Sequence, residues 1–167
     1  MTGDRDPRAA IAALFPALAK QPSPAPDDLI ELMEWVYRLY SAVCTGLSEE
    51  RGAALEGFLK DAAPRLEPIV PWIDLAHGGR IETCLISRWE SEEWLVVCRL
   101  RSAREAFNEL FVPFFSDPEE GFEEDEELDA LLRSRGESEG FQDPARTPSH
   151  FPARHWWWSL SSPSDAS

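Results

Sequence analysis

Residues 80–100, RIETCLISRWESEEWLVVCRL, constrain the fold more than any other stretch of this chain. Two runs rich in Ile, Val, Thr, Trp and Cys flank the acidic Glu90-Ser91-Glu92-Glu93, which is the pattern of a β-hairpin. Closing the turn around Ser91-Glu92 puts Trp89 opposite Trp94, and a wider loop keeps that register. One face then carries Trp89/Trp94, Ser87/Val96, Leu85/Cys98 and Thr83/Leu100, while Cys84 and Arg99 meet on the other. The first face is mostly apolar, and a lone two-stranded ribbon is marginal in water, so other elements must cover it. The tryptophan pair reads as core rather than as a ligand platform.

Helical patterns surround this stretch. Asp6-Pro7 is an N-cap acceptor followed by proline at the first helical position, and Ile11, Leu14, Phe15 and Leu18 follow at helical spacing. Pro16 predicts a kink or a break. Residues 27–45 carry apolar residues over more than half a helix circumference, so this helix is central, with Gly46 as its stop. Ser48 caps a third helix ended by Pro64. Residues 64–79 contain three prolines and read as a short turn or an extended segment, with Gly78-Gly79 turning into the first strand. Ser102-Ala103-Arg104-Glu105 has the form of a capping box and starts a helix bearing Phe107 and Phe111, with Phe114 and Phe115 beyond. A last helix carries Phe122, Leu128, Leu131 and Leu132 and stops at Gly136. The expected fold is α+β, with about five helices packed around a small antiparallel sheet centred on the 80–100 hairpin. Residues 1–136 form one globular domain, and 137–167 form an irregular C-terminal tail with an aromatic anchor.

The net charge is −15, and its location matters more than its size. Residues 1–115 sum to −6 and residues 130–167 to zero, so residues 116–129 supply −9 without one basic residue. Such a balance argues against a nucleic-acid face or attachment to an anionic membrane, and it permits a basic protein partner. The charged N-terminus lacks an apolar signal core and no stretch approaches a membrane span, which points to the cytoplasm. The three cysteines fit that compartment as reduced thiols.

Motifs for catalysis are missing. The chain has no Gly-rich phosphate loop and no nucleophile elbow for His77-Gly78-Gly79 to serve. No cysteine pair or acidic loop has metal-ligand spacing, so no cofactor or metal is expected. Asp74, set among Trp72, Ile73 and Leu75, is the one candidate for an acid with a raised pKa. Two features remain that could bind. Glu119, Glu120, Glu123, Glu124, Asp125, Glu126 and Glu127 form an acidic run whose carboxylates would crowd one broad side of a helix. Trp156, Trp157 and Trp158 either clasp the domain or anchor in a partner. Together they predict a small acidic inhibitor of a basic protein, such as the immunity partner of a basic bacterial nuclease toxin. The alternatives are a chaperone or adaptor for a secreted protein, or an enzyme with an unfamiliar site.

Overall fold

A computed structural model describes residues 5–86, 93–122, 126–139, 151–152 and 155–159. Helix α1 (Pro7–Leu18) begins where Asp6 Oδ1 accepts the Arg8 N–H at 3.0 Å. Pro16 falls in its last turn, and the helix continues through it. Helix α2 (Pro26–Cys44) buries Leu29, Leu32, Met33, Val36, Leu39 and Tyr40, a stripe at three- and four-residue steps. Its stop is Gly46, whose φ of 102° suits glycine and whose N–H bonds the Val43 carbonyl. Helix α3 (Glu49–Leu66) is capped by Ser48, and Pro64 is absorbed inside it.

Residues 67–78 pass through short helical turns: a 3-10 turn (Glu67–Ile69), α4 (Val70–Ile73) and a π turn (Asp74–Gly78). Helix α5 (Gly79–Ile86) follows directly, then α6 (Glu93–Leu110) and α7 (Glu126–Glu139). Helix α7 runs past Gly136. The described residues contain helices and no strand, and no described helix is long and apolar enough to cross a membrane.

The α+β expectation is thus corrected to an all-helical fold, and the correction centres on residues 80–100. The hairpin reading put Val96 and Cys98 on one face and Val97 on the other. Instead Val97 and Cys98 are both fully buried while Val96 is 41% exposed. Adjacent buried residues suit a helix, whereas a half-buried strand alternates. From Val97 the buried set runs through Leu100, Ala103, Phe107 and Leu110, one continuous helical stripe. The β-branched residues at its start were misleading because β-propensity reports fit to a surface more than backbone preference. Trp94 lies in the first turn of α6 rather than on a strand, and Trp89 falls outside the described residues. Gly78-Gly79 joins a π turn to α5 rather than a turn to a strand.

Helix α6 is the axis of the molecule. It packs most extensively on α2 and contributes to two apolar clusters. The larger cluster joins α1, α2, α3 and α4 to Ala103, Ala106, Phe107 and Leu110 of α6. The smaller joins Ile81 of α5, the start of α6 and Leu128 and Leu132 of α7 to Trp157 and Trp158. Phe114 and Phe115 belong to the larger cluster, with Phe115 6.0 Å from Phe107 ring to ring.

Candidate functional site

Ser102 stands between the two clusters, in the middle of α6 rather than at a helix start. Its fully buried hydroxyl accepts the indole N–H of Trp157 at 2.9 Å and of Trp158 at 2.8 Å. The third polar contact is His155 Nδ1 at 2.9 Å. With both oxygen lone pairs engaged by indoles, the hydroxyl proton goes to Nδ1, which fixes a neutral imidazole accepting at that atom. The three contacts satisfy the serine completely and seat the 3-10 turn Trp156–Ser159 on α6. Arg101 adds to the seat. Its guanidinium lies 4.4 Å from the Trp157 ring centroid and pairs with Asp129 of α7 at 2.9 Å.

A serine beside a histidine invites a catalytic reading, and the geometry opposes it. An activated serine must be reachable and have its oxygen lone pair free, whereas Ser102 Oγ is enclosed and already accepts two donors. Of the predicted aromatic residues, Trp157 and Trp158 are 1% and 3% exposed within the domain. Trp156 is half-buried, with the Arg133 guanidinium 4.0 Å from its ring centroid.

The acidic run does not form one helix. Glu119 and Glu120 lie in a short 3-10 turn (Pro118–Glu120), and Glu126 and Glu127 open α7. Glu123, Glu124 and Asp125 fall outside the described residues. Carboxylates in the first turn of α7 face the positive end of its dipole, so there the charge favours the helix instead of opposing it.

Two side-chain clamps set the path of the run. Glu67 accepts from the Asp117 N–H at 3.0 Å and from Ser116 N–H and Oγ at 3.1 and 2.8 Å. These donors, Asp117 first, hold the Glu67 carboxyl below its ordinary range against the opposing effect of partial burial. Five residues on, Asn108 of α6 bonds both backbone groups of Phe122: Nδ2 donates to its carbonyl at 3.0 Å and Oδ1 accepts its N–H at 2.9 Å. Gly121 permits this approach, since a Cβ there would stand 2.9 Å from Val112 Cγ2 and 3.1 Å from Asn108 Oδ1. Asn108→Ala is expected to lower stability by about 1–2 kcal/mol. It should also speed amide exchange at Phe122, as read by hydrogen-exchange mass spectrometry, with helix content unchanged.

The result is a cleft of about 590 Å³ that collects Glu119, Glu120, Glu126 and Glu127 around Asp74 of the π turn. Arg104 is the one basic residue among its described lining. The guanidinium, on a side chain 6% exposed, bonds Asp74 Oδ1 at 2.6 Å and lies 4.6 Å from the Phe122 ring centroid. Arg104 therefore ties the π turn to the acidic run. Five carboxylates against one guanidinium leave the lining four charges negative. Asp74, read from sequence as a candidate buried acid, is more than half exposed and ion-paired, so it lacks the apolar pocket that such chemistry needs. Among the described residues no group of three or more His, Cys, Asp or Glu is placed to hold a metal ion.

Sequence reasoning located the acidic residues but missed Asp74 and Arg104 as members of the same site. Nothing in the local pattern joins residue 74 to residues 119–127; only the fold does. A second and larger cleft, of about 840 Å³, is lined by residues of α1, α2 and α3 with Arg99 of α6, and no motif announced it. No family model, curated protein or solved structure matches the chain.

Proposed function

We propose that this chain is an acidic protein-binding module that captures a basic partner and acts by covering its basic surface. The reading rests above all on one observation: both described ends of the acidic run converge with Asp74 on a single cleft. Carboxylates fixed on separate elements present a preset negative field, which steers a basic protein and raises its association rate about 10–10³-fold. Phe122 beside Arg104 supplies an apolar wall for the stem of a docking Lys or Arg side chain. The partner would be a basic enzyme or toxin, for example a nuclease whose cleft the acidic surface would block as an immunity protein does. We place its action in the cytoplasm, where a buried reduced thiol such as Cys98 is the ordinary state.

Affinity capture from the native host tests this. Wild-type protein is expected to retain a strongly basic protein, with pI above about 9. A variant carrying Asp74→Asn with Glu119, Glu120, Glu126 and Glu127 each changed to Gln should lose it. Equal retention by both baits, or partners that are all acidic, would sink the proposal.

A further inference from the structure

The larger cleft has the opposite electrostatic character from the acidic one. Five of the 16 basic residues of a chain with net charge −15 line it: Arg5, Arg8, Arg38, Arg51 and Arg99. They come from the start of α1, from α2, from α3 and from α6, so the concentration is a product of folding and not of a basic run. Two carboxylates partly compensate them. Asp6 pairs with Arg8 at 3.3 Å, and Glu34 pairs with Arg38 at 3.4 Å and Arg99 at 3.0 Å. Among the described residues, five guanidinium groups against those two acids leave three positive charges. Arg5 and Arg51 have no carboxylate at ion-pair distance among the described residues.

The walls between these charges are apolar and aromatic. Leu47 is 38% exposed at the cleft, and Trp35 is half-buried with the Arg38 guanidinium 4.6 Å from its ring centroid. Arg99 sits in the same way against Tyr37, at 4.9 Å. Rings stacked in this fashion hold two guanidinium groups in place before any ligand arrives, which lowers the ordering cost of binding. The volume of about 840 Å³ lies in the range of small-molecule sites. A protein this acidic repels free anions in general, so only a ligand that matches several arginines at once would reside here.

We propose that this cleft binds a small phosphorylated ligand of the nucleotide class, with its phosphates on the arginines and its planar group against the Trp35–Leu47 wall. Guanidinium forks match phosphate oxygens two at a time, and three surplus positive charges suit a di- or triphosphate. The site is independent of the acidic cleft, so it stands whether or not a basic partner is found.

Calorimetric titration of the full chain tests it with ADP, ATP, inorganic pyrophosphate and adenosine, at low salt and in the absence of added metal. ADP and ATP are expected to bind at least ~10-fold tighter than either pyrophosphate or adenosine, since both halves of the site contribute. Arg5→Gln with Arg51→Gln should weaken nucleotide binding ~10-fold or more, with an unchanged melting temperature because both side chains are exposed. The same double change should leave capture of a basic partner untouched. No heat at millimolar nucleotide, pyrophosphate binding as tight as ADP, or full affinity in the double variant would each overturn the proposal.

Discussion

Replacing Trp157 by alanine is expected to lower the unfolding free energy by about 3–5 kcal/mol, a large share of what a domain this size has to lose. Among the described residues Trp157 is the largest fully buried side chain, at 1% exposure, and it packs in one cluster with Val97, Cys98, Leu128 and Leu132. Its removal opens a cavity where α5, α6 and α7 meet and strands one hydrogen bond of Ser102. Ser102→Ala attacks the same point from the other side. It leaves two indole N–H groups and His155 Nδ1 without their shared partner, which is expected to cost about 1–3 kcal/mol. Trp156→Ala should cost less, because that ring is only half-buried and its main polar contact is a cation–π pair worth about 0.5–1 kcal/mol. Denaturant unfolding of the three variants measures the order Trp157, Ser102, Trp156. An unchanged midpoint for Trp157→Ala would show that the aromatic turn is not seated on α6.

The second large effect is a dependence on pH that belongs to His77. This side chain is buried in the π turn, and neither ring nitrogen has a hydrogen-bond partner among the described residues. Burial, reinforced by the guanidinium groups of Arg104, Arg101 and Arg80, pushes its pKa down to about 3. In the unfolded chain the imidazole takes a proton below about pH 6.5. Between those values the unfolded state binds more protons than the folded one, so stability falls as pH falls. The contribution is complete above about pH 6.5 and is lost toward pH 3, at about 1.4 kcal/mol per pH unit. His77→Leu removes this titration and also the unpaired nitrogens, so it should be neutral or stabilising at pH 7. The drop in unfolding free energy between pH 7 and pH 5 is expected to be smaller in the variant by about 2 kcal/mol. Equal pH dependence in the two proteins would mean that the imidazole is solvated or paired in the native state.

Local signals recovered much of the helical scaffold. The Asp6 and Ser48 caps, the α2 stripe and the glycine at 46 were legible because each is a short-range physical requirement. The error at residues 80–100 has an equally definite origin. Leu95, Val96, Val97 and Cys98 form a short apolar run with strand-favouring side chains, while the helical period shows only when the window extends through Phe107. Ser102 misled for a related reason. Its spacing to Glu105 imitates a cap, whereas its real partners lie more than 50 residues away, at Trp157 and Trp158. Cys98 likewise finds its acceptor, the Trp157 carbonyl at 3.6 Å, across that distance. The acidic carboxylates were visible as a run, but the site they form depends on Asp74 and Arg104, which tertiary packing alone delivers.

That convergence can be measured directly by following association with a captured basic partner in stopped flow over a range of salt concentrations. The cleft variant, with Asp74→Asn and Glu119, Glu120, Glu126 and Glu127 changed to Gln, removes five charges from one place. A control with Glu49, Glu50, Glu31, Glu56 and Asp61 changed to Gln or Asn removes five exposed charges elsewhere. The cleft variant is expected to associate at least ~10-fold more slowly at low salt and to lose most of the salt dependence, with the control close to wild type. Equal slowing in both would mean that net charge, and not the cleft, draws the partner in.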